Sequence, residues 1–196
     1  MTHSDAGISE STNNQLHYII PSPGTQKLYN KLLSDRVAKT SIGTIVADST
    51  MALRTQLHQI EGGTIKINDG YHDLNLRDKI NYLRSNFKMD NNTVVMANYI
   101  GEQQLLKKLF PQCTIASSTS QAEGVDYSHA HEFIIYSANF SGSKFVQRLD
   151  RIKNLSGSNT DTVHHLLIRG AISDQVYETV MDKKTFNDSV FKPIKL

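Results

Sequence analysis

The chain of 196 residues has no tryptophan, a single cysteine and only four prolines. One sulfur, at Cys113, excludes a disulfide framework and a zinc cage built from thiolates. No apolar run approaches the roughly 18 residues of a membrane-crossing helix, so no membrane partner is expected. The opening residues, MTHSDAGISESTNNQ, lack the basic start and apolar core of a secretory signal. An intracellular protein of a reduced compartment is therefore expected. An excess of one charge is also missing: 21 Lys and Arg face 19 Asp and Glu. That balance excludes binding of nucleic acid by bulk charge and excludes an acidic-tail protein.

What is present suits one globular domain with an arm. Hydrophobic residues make up 38% of the chain, enough for a core. Residues 1–15 are rich in Ser, Thr and Asn and are expected to be a disordered lead-in, because they cannot offset their ordering entropy. Residues 16–63 read as an extended and helical arm. It opens with a stretch from His17 stiffened by Pro21 and Pro23. A helical pattern through Leu28, Leu32 and Val37 breaks near Ser41 and Gly43. A second helix is expected over Ser49 to Ile60, with Asp48 or Ser49 as N-cap and Gly62-Gly63 as its stop.

From residue 64 to 196 strand and helix patterns alternate. Thr64 to Ile67, Thr93 to Ala97, Cys113 to Ala116, Glu132 to Ser137 and Thr162 to Ile168 read as strands. Leu76, Ile80, Leu83 and Phe87 recur at i, i+4, i+7 and i+11, an amphipathic helix. Further helices are expected over Glu102 to Phe110, stopped by Pro111, and over Ser143 to Leu155. Ser173 is expected to cap a last one that buries Val176 and Val180. The alternation implies an α/β fold, with a mostly parallel sheet flanked by helices on both faces.

Parallel sheets bind ligands beyond the carboxyl ends of their strands. Two stretches there carry usable chemistry. Ser117 to Ser128 combines hydroxyls, Gly124 and carboxylates, suited to phosphate or ribose or simply to a surface loop. On the helix from Phe145, the apolar stripe is Phe145, Leu149 and Ile152, while Gln147, Arg151 and Asn154 form a polar one. A guanidinium presented that way reaches a phosphate bidentately, or else sits on a solvated face. The histidines do not make a metal site: His164 and His165 point to opposite faces of a strand, and no ligands complete a set around His129 and His131. Cys113 reads as a small buried hydrophobe, and no G-x-S-x-G elbow exists.

Taken in order, these stretches resemble the second RecA-like domain of superfamily 2 helicases and translocases, nearest the Swi/Snf-type and phage-helicase branch. Asn92 to Glu102 (NTVVMANYIGE) is similar to motif IV, Gln121 to Asp126 (QAEGVD) to motif V, and Gln147 to Arg151 (QRLDR) to motif VI. The flanks agree: His17 to Tyr29 looks like the segment that leaves the first motor domain, and Leu57 to Gly63 like the helical element before the second. Val163 to Val176, with Lys183, resembles the closing strand and helix.

The resemblance implies roles. Gly124 and Asp126 would lie at the nucleotide cleft, and Gln147 and Arg151 would face the triphosphate, Arg151 as an arginine finger. Asn98, Tyr99, Ser118 and Thr119 would touch a sugar-phosphate backbone, DNA in preference to RNA. The departures are equally informative. Asn154 stands where the family usually has a second arginine, and the sequence contains neither a GxxxxGK[ST] phosphate loop nor a DExx box. ATP and Mg are thus expected to act only with a separate first RecA-like domain, and no catalytic turnover is expected of the chain alone. The alternative implied is an ATPase-inactive module that binds and regulates a motor or nuclease. The cytoplasm is the expected location, the host's if the chain is viral.

Overall fold

The structure, a computed structural model, describes residues 13–117, 130–147 and 162–196. Five strands form its central sheet: β1 (Asn13–Tyr18), β6 (Thr93–Ala97), β7 (Thr114–Ser117), β8 (Glu132–Ile135) and β9 (Thr162–Leu167). Their order is β1-β9-β8-β6-β7, and each neighbouring pair is parallel. The expected α/β architecture is present. All five residues of β6 are buried, as a strand covered on both faces requires.

Helix α1 (Pro23–Asp35) is set by its caps: the Ser22 side chain accepts from the Thr25 amide, and Arg36 ends the helix in the left-handed conformation at φ 60°. That stop corrects the helical pattern drawn through Val37. Val37 instead opens β2 (Val37–Thr40), which pairs antiparallel with β3 (Gly43–Val46). Helix α2 (Thr50–Glu61) starts at the Ser49 cap and ends at Gly62, as its sequence signals imply. A second hairpin follows, β4 (Thr64–Ile67) with β5 (Gly70–Asp73), the latter too short and polar to stand out in the sequence.

Helix α3 (Asp78–Asn86) buries Ile80 and Leu83, while Leu76 and Phe87 lie just outside its ends. Helix α4 (Ile100–Leu109) joins β6 to β7, and α5 (residues 142–147) follows β8. The last helix, α6 (Ile172–Met181), takes Ala171 rather than Ser173 as N-cap. Ser173 is spent elsewhere: its hydroxyl oxygen accepts from the Ile168 amide at 2.9 Å.

The segment before Pro21 is sheet as well as extended. β1 pairs with β9 residue for residue from Asn13↔Thr162 to Tyr18↔Leu167. Among the described residues no helix is long and apolar enough to cross a membrane.

Two glycines test the backbone reading. Gly63 has φ +77°, and a Cβ there would collide with the Leu76 carbonyl oxygen; at Gly24 an added Cβ makes only an ordinary 3.6 Å contact with Leu76. Gly63→Ala is expected to cost at least about 2 kcal/mol, strain plus collision. Gly24→Ala, in a helix, should be neutral or stabilising by up to ~1 kcal/mol. Urea unfolding midpoints measure both, and equal effects would contradict the geometry.

Candidate functional site at the strand switch point

Strand order locates the site before any motif does. From β6 the chain crosses α4 to β7 at one edge, whereas β8 lies on the opposite side of β6. The direction of winding reverses between β6 and β8, and open α/β sheets bind ligands outside the carboxyl ends of the strands at such a point. Two turns form this rim, one after Ala97 and one after Ile135.

The turns are pinned to each other. The Asn98 amide donates to the Ser137 hydroxyl at 2.7 Å, and the Asn139 amide group donates to Asn98 Oδ1 at 3.4 Å. Asn139 Oδ1 accepts from the Ser141 amide at 2.7 Å, leading into α5. Tyr99 is the N-cap of α4, and its amide donates to Glu102 Oε2 at 3.3 Å. The Ser137 hydroxyl donates to the same carboxylate.

Beneath the rim lies a set of buried charges. Glu102, Glu61 and Lys79 have at most 3% of their surface exposed, and His58 has none. Lys79 donates to the Tyr136 carbonyl at 2.7 Å, and the Tyr136 hydroxyl donates to the Gly62 carbonyl at 2.8 Å. Glu61 accepts from the amides of Ile172 and Ser173, the first residues of α6, where the helix dipole favours a carboxylate. Gly62 is required: a Cβ there would collide with the Glu102 carboxylate. Arg54 fixes the other flank. Its guanidinium carbon lies 5.6 Å from the ring centres of both Phe140 and Phe186, and it donates to the Phe186 carbonyl at 2.9 Å and pairs with Asp188 at 2.7 Å.

Burial pushes Glu61 and Glu102 up to about 7 against the opposing pull of Lys79. It also lowers the Lys79 ammonium, which the two glutamates oppose. His58 is driven well below its usual value by burial and by Lys79, so its ring is neutral.

Of the residues singled out by sequence, Asn98 and Tyr99 come together at the rim. Tyr99 turns inward, with its hydroxyl 3.1 Å from His58 Nδ1. Gln147 is exposed on α5. Gly124, Asp126, Arg151, Ser118, Thr119 and Asn154 lie outside the described residues. Ser117, the residue before Ser118, is the register partner of Ala97 beside the rim.

His164 and His165 do face opposite ways. His164 meets Glu132 at 2.8 Å and His17 at 2.9 Å, whereas His165 meets Asn14 at 3.0 Å. Burial raises the Cys113 thiol to about 11, which makes it a poor nucleophile. Among the described residues no three His, Cys, Asp or Glu side chains gather as a metal site would need.

Sequence reading passed over Arg54, His58, Glu61, Lys79, Glu102 and Ser137. Only Glu102 had a legible signal, as the acidic third residue of a helix after its cap.

The geometry defines a RecA-like α/β domain with a rim at its switch point, and solved structures share the fold. The chain resembles the C-terminal part of the Fun30 ATPase domain, with a TM-score of 0.61, 10% identity and 92% of each chain covered. It also resembles the Sulfolobus solfataricus SWI2/SNF2 ATPase core, solved in complex with dsDNA, with a TM-score of 0.57 and 11% identity. There the match spans 87% of this chain and 44% of the other. At such identities the likeness establishes the fold alone, a RecA-like α/β domain. No family model and no curated protein matches the sequence.

The buried glutamates make stability depend on pH with a defined sign. A carboxyl raised from 4.5 to about 7 stays protonated when folded but ionises when unfolded, so its contribution falls as pH rises through that window. His58 and His165, lowered by burial, act oppositely on the acid side. The variant Glu102→Gln isolates the carboxyl. Its unfolding free energy relative to wild type should improve between pH 5 and pH 8 by on the order of 3 kcal/mol. Urea titrations across that range check this, and a flat difference would contradict it.

Proposed function

We propose that the chain is the C-terminal motor half of a superfamily 2 helicase or translocase of the Swi/Snf type. The observation that carries this reading is the switch-point rim, with Asn98 and Tyr99 at the end of β6, in a fold that aligns over 92% of the C-terminal part of an ATPase domain. Asn98, with Ser118 and Thr119, would contact the sugar-phosphate backbone, and Tyr99 would hold the turn through His58. Gly124 and Asp126 would border the nucleotide. Gln147 and Arg151 would face the triphosphate, Arg151 neutralising charge that develops on the γ-phosphate.

The donor set at the rim is consistent with half of a nucleotide site. Asn139 and Ser143 offer an amide and a hydroxyl that suit phosphate and sugar oxygens, while Ser137 and Glu102 are buried beneath them. Such a rim suits hydrogen bonding to ATP and does not suit coordination of Mg. The metal-binding carboxylates and the phosphate-loop lysine would come from a first RecA-like domain. DNA is the favoured polymer, since a protein of this fold was solved with dsDNA. Under this reading the chain works in the cytoplasm, the host's for a phage-borne gene.

A second reading rests on Asn154. An asparagine donates a hydrogen bond but cannot neutralise a phosphate, so a domain with one remaining arginine also suits an ATPase-inactive module that binds and regulates a motor or nuclease.

Mixing the chain with first RecA-like domains from the same genome separates the two. The motor reading expects DNA-stimulated ATP hydrolysis that falls by about 10³ or more in Arg151→Ala, with none from the chain alone. Hydrolysis indifferent to Arg151→Ala would contradict it. Failure of every first domain, together with stoichiometric capture of one other protein, would establish the module instead.

A further inference from the structure

Away from the rim, a groove of about 560 Å³ runs between α1 and β2. Its helical wall is Gly24, Lys27, Leu28, Lys31 and Asp35, one face of α1, and its other wall is Val37, Ala38 and Lys39. Successive side chains of a strand point to opposite faces. Three consecutive residues lining one groove therefore mean that the strand's edge, rather than a face, forms the wall.

Among the described residues that edge is unpaired. In the β2–β3 hairpin, Thr40 pairs with Gly43 across a two-residue turn, and Ala38 pairs with Ile45. Hydrogen-bonded pairs alternate in an antiparallel ladder, so Thr40 and Ala38 bond to β3, while Val37 and Lys39 aim their amides and carbonyls away from it. The Ala47 amide, bonded at 2.8 Å to the Arg36 carbonyl, continues the same alternation. On the opposite edge, the Val46 carbonyl is taken up by the Gln56 side chain at 2.9 Å. Among the described residues nothing takes up the outward groups of Val37 and Lys39.

The charges around this edge have one sign to spare. Lys31 is paired with Asp35, which leaves the exposed Lys27 and Lys39 facing each other across the groove with no carboxylate partner among the described residues. Leu28 and Val37 supply apolar surface between them, and Gly24 leaves one end without a side chain.

We infer that this groove is a docking site for an extended acidic segment of a partner protein, which adds to β2 as a third strand. Its backbone bonds to Val37 and Lys39, its carboxylates meet Lys27 and Lys39, and its apolar residues cover Leu28 and Val37. Nucleic-acid phosphates would use the lysines and could accept from the outward amides, but they cannot donate to the carbonyls that alternate with those amides or cover an apolar wall, so a peptide is favoured.

Fluorescence anisotropy of the full chain tests this with a labelled peptide of about eight alternating glutamates and valines, long enough at ~3.4 Å per residue to span β2. Saturable binding is expected, weakened at least about tenfold in the Lys27→Glu/Lys39→Glu double variant, whose substitutions are on exposed positions and should leave the urea midpoint unchanged. The same peptide N-methylated at alternate residues should also bind at least about tenfold more weakly, and one with lysine for glutamate should not bind. Equal binding by the N-methylated peptide, or by the double variant, overturns the proposal. So does displacement of the peptide by oligothymidylate without any effect of N-methylation, which would make the groove a nucleic-acid contact.

Discussion

Lys79 has 1% of its surface exposed, and the fold is organised around the need to satisfy its ammonium. Taking such a charge out of water costs several kcal/mol unless partners surround it. The Tyr136 carbonyl accepts from it at 2.7 Å, and the buried carboxyls of Glu61 and Glu102 favour its charge without forming an ion pair with it. Each partner belongs to a different element. Tyr136 follows β8 and reaches the end of α2 through its hydroxyl, Glu61 closes α2 and receives the first amides of α6, and Glu102 opens α4 and holds the turn after β8. The bonds made by Lys79, Tyr136, Glu61 and Glu102 together tie α3 to the segment after β8 and to α2, α4 and α6. A hydrophobic residue in its place would lose that directional specification even if it packed equally well.

The rim inherits its geometry from that cluster. Asn98 and Ser137 are held by a 2.7 Å bond, and Ser137 is held in turn by Glu102. His58 stacks on Phe140 with ring centres 5.5 Å apart and bonds to Tyr99, so a neutral aromatic contact lies beside the buried charges on the inner side of the turns. Under the proposed function, oxygen-rich ligands would meet the amides and hydroxyls on the outer side of these turns. Arg54 extends the same support to the segment through Asp188 and to the entry of α5.

Much of this fold was legible because burial writes a period into sequence. Val94 to Ala97 is uniformly apolar because both faces of β6 are covered, and the spacing of Ile80 and Leu83 marks the buried face of α3. Ser49 and Gly62 bound α2 because their side-chain chemistry acts locally. The hairpins were less legible. Val37 continued a helical spacing, and only the left-handed turn at Arg36, a tertiary outcome with no glycine to announce it, ended the helix. The buried charges were invisible for a different reason. A lysine inside an amphipathic pattern reads as a solvated residue, and nothing in its neighbours along the chain shows that Glu61 and Glu102 arrive from elsewhere. The switch point required strand order, which a linear pattern does not contain.

The working surface proposed for this domain is the rim outside β6 and β8. Amide hydrogen exchange of the chain with and without duplex DNA measures this directly. Added protection is expected at residues 98–103 and 137–147, with β1 and α3 unchanged. Protection concentrated on β1 and α3, with residues 98–103 unaffected by saturating DNA, would contradict it.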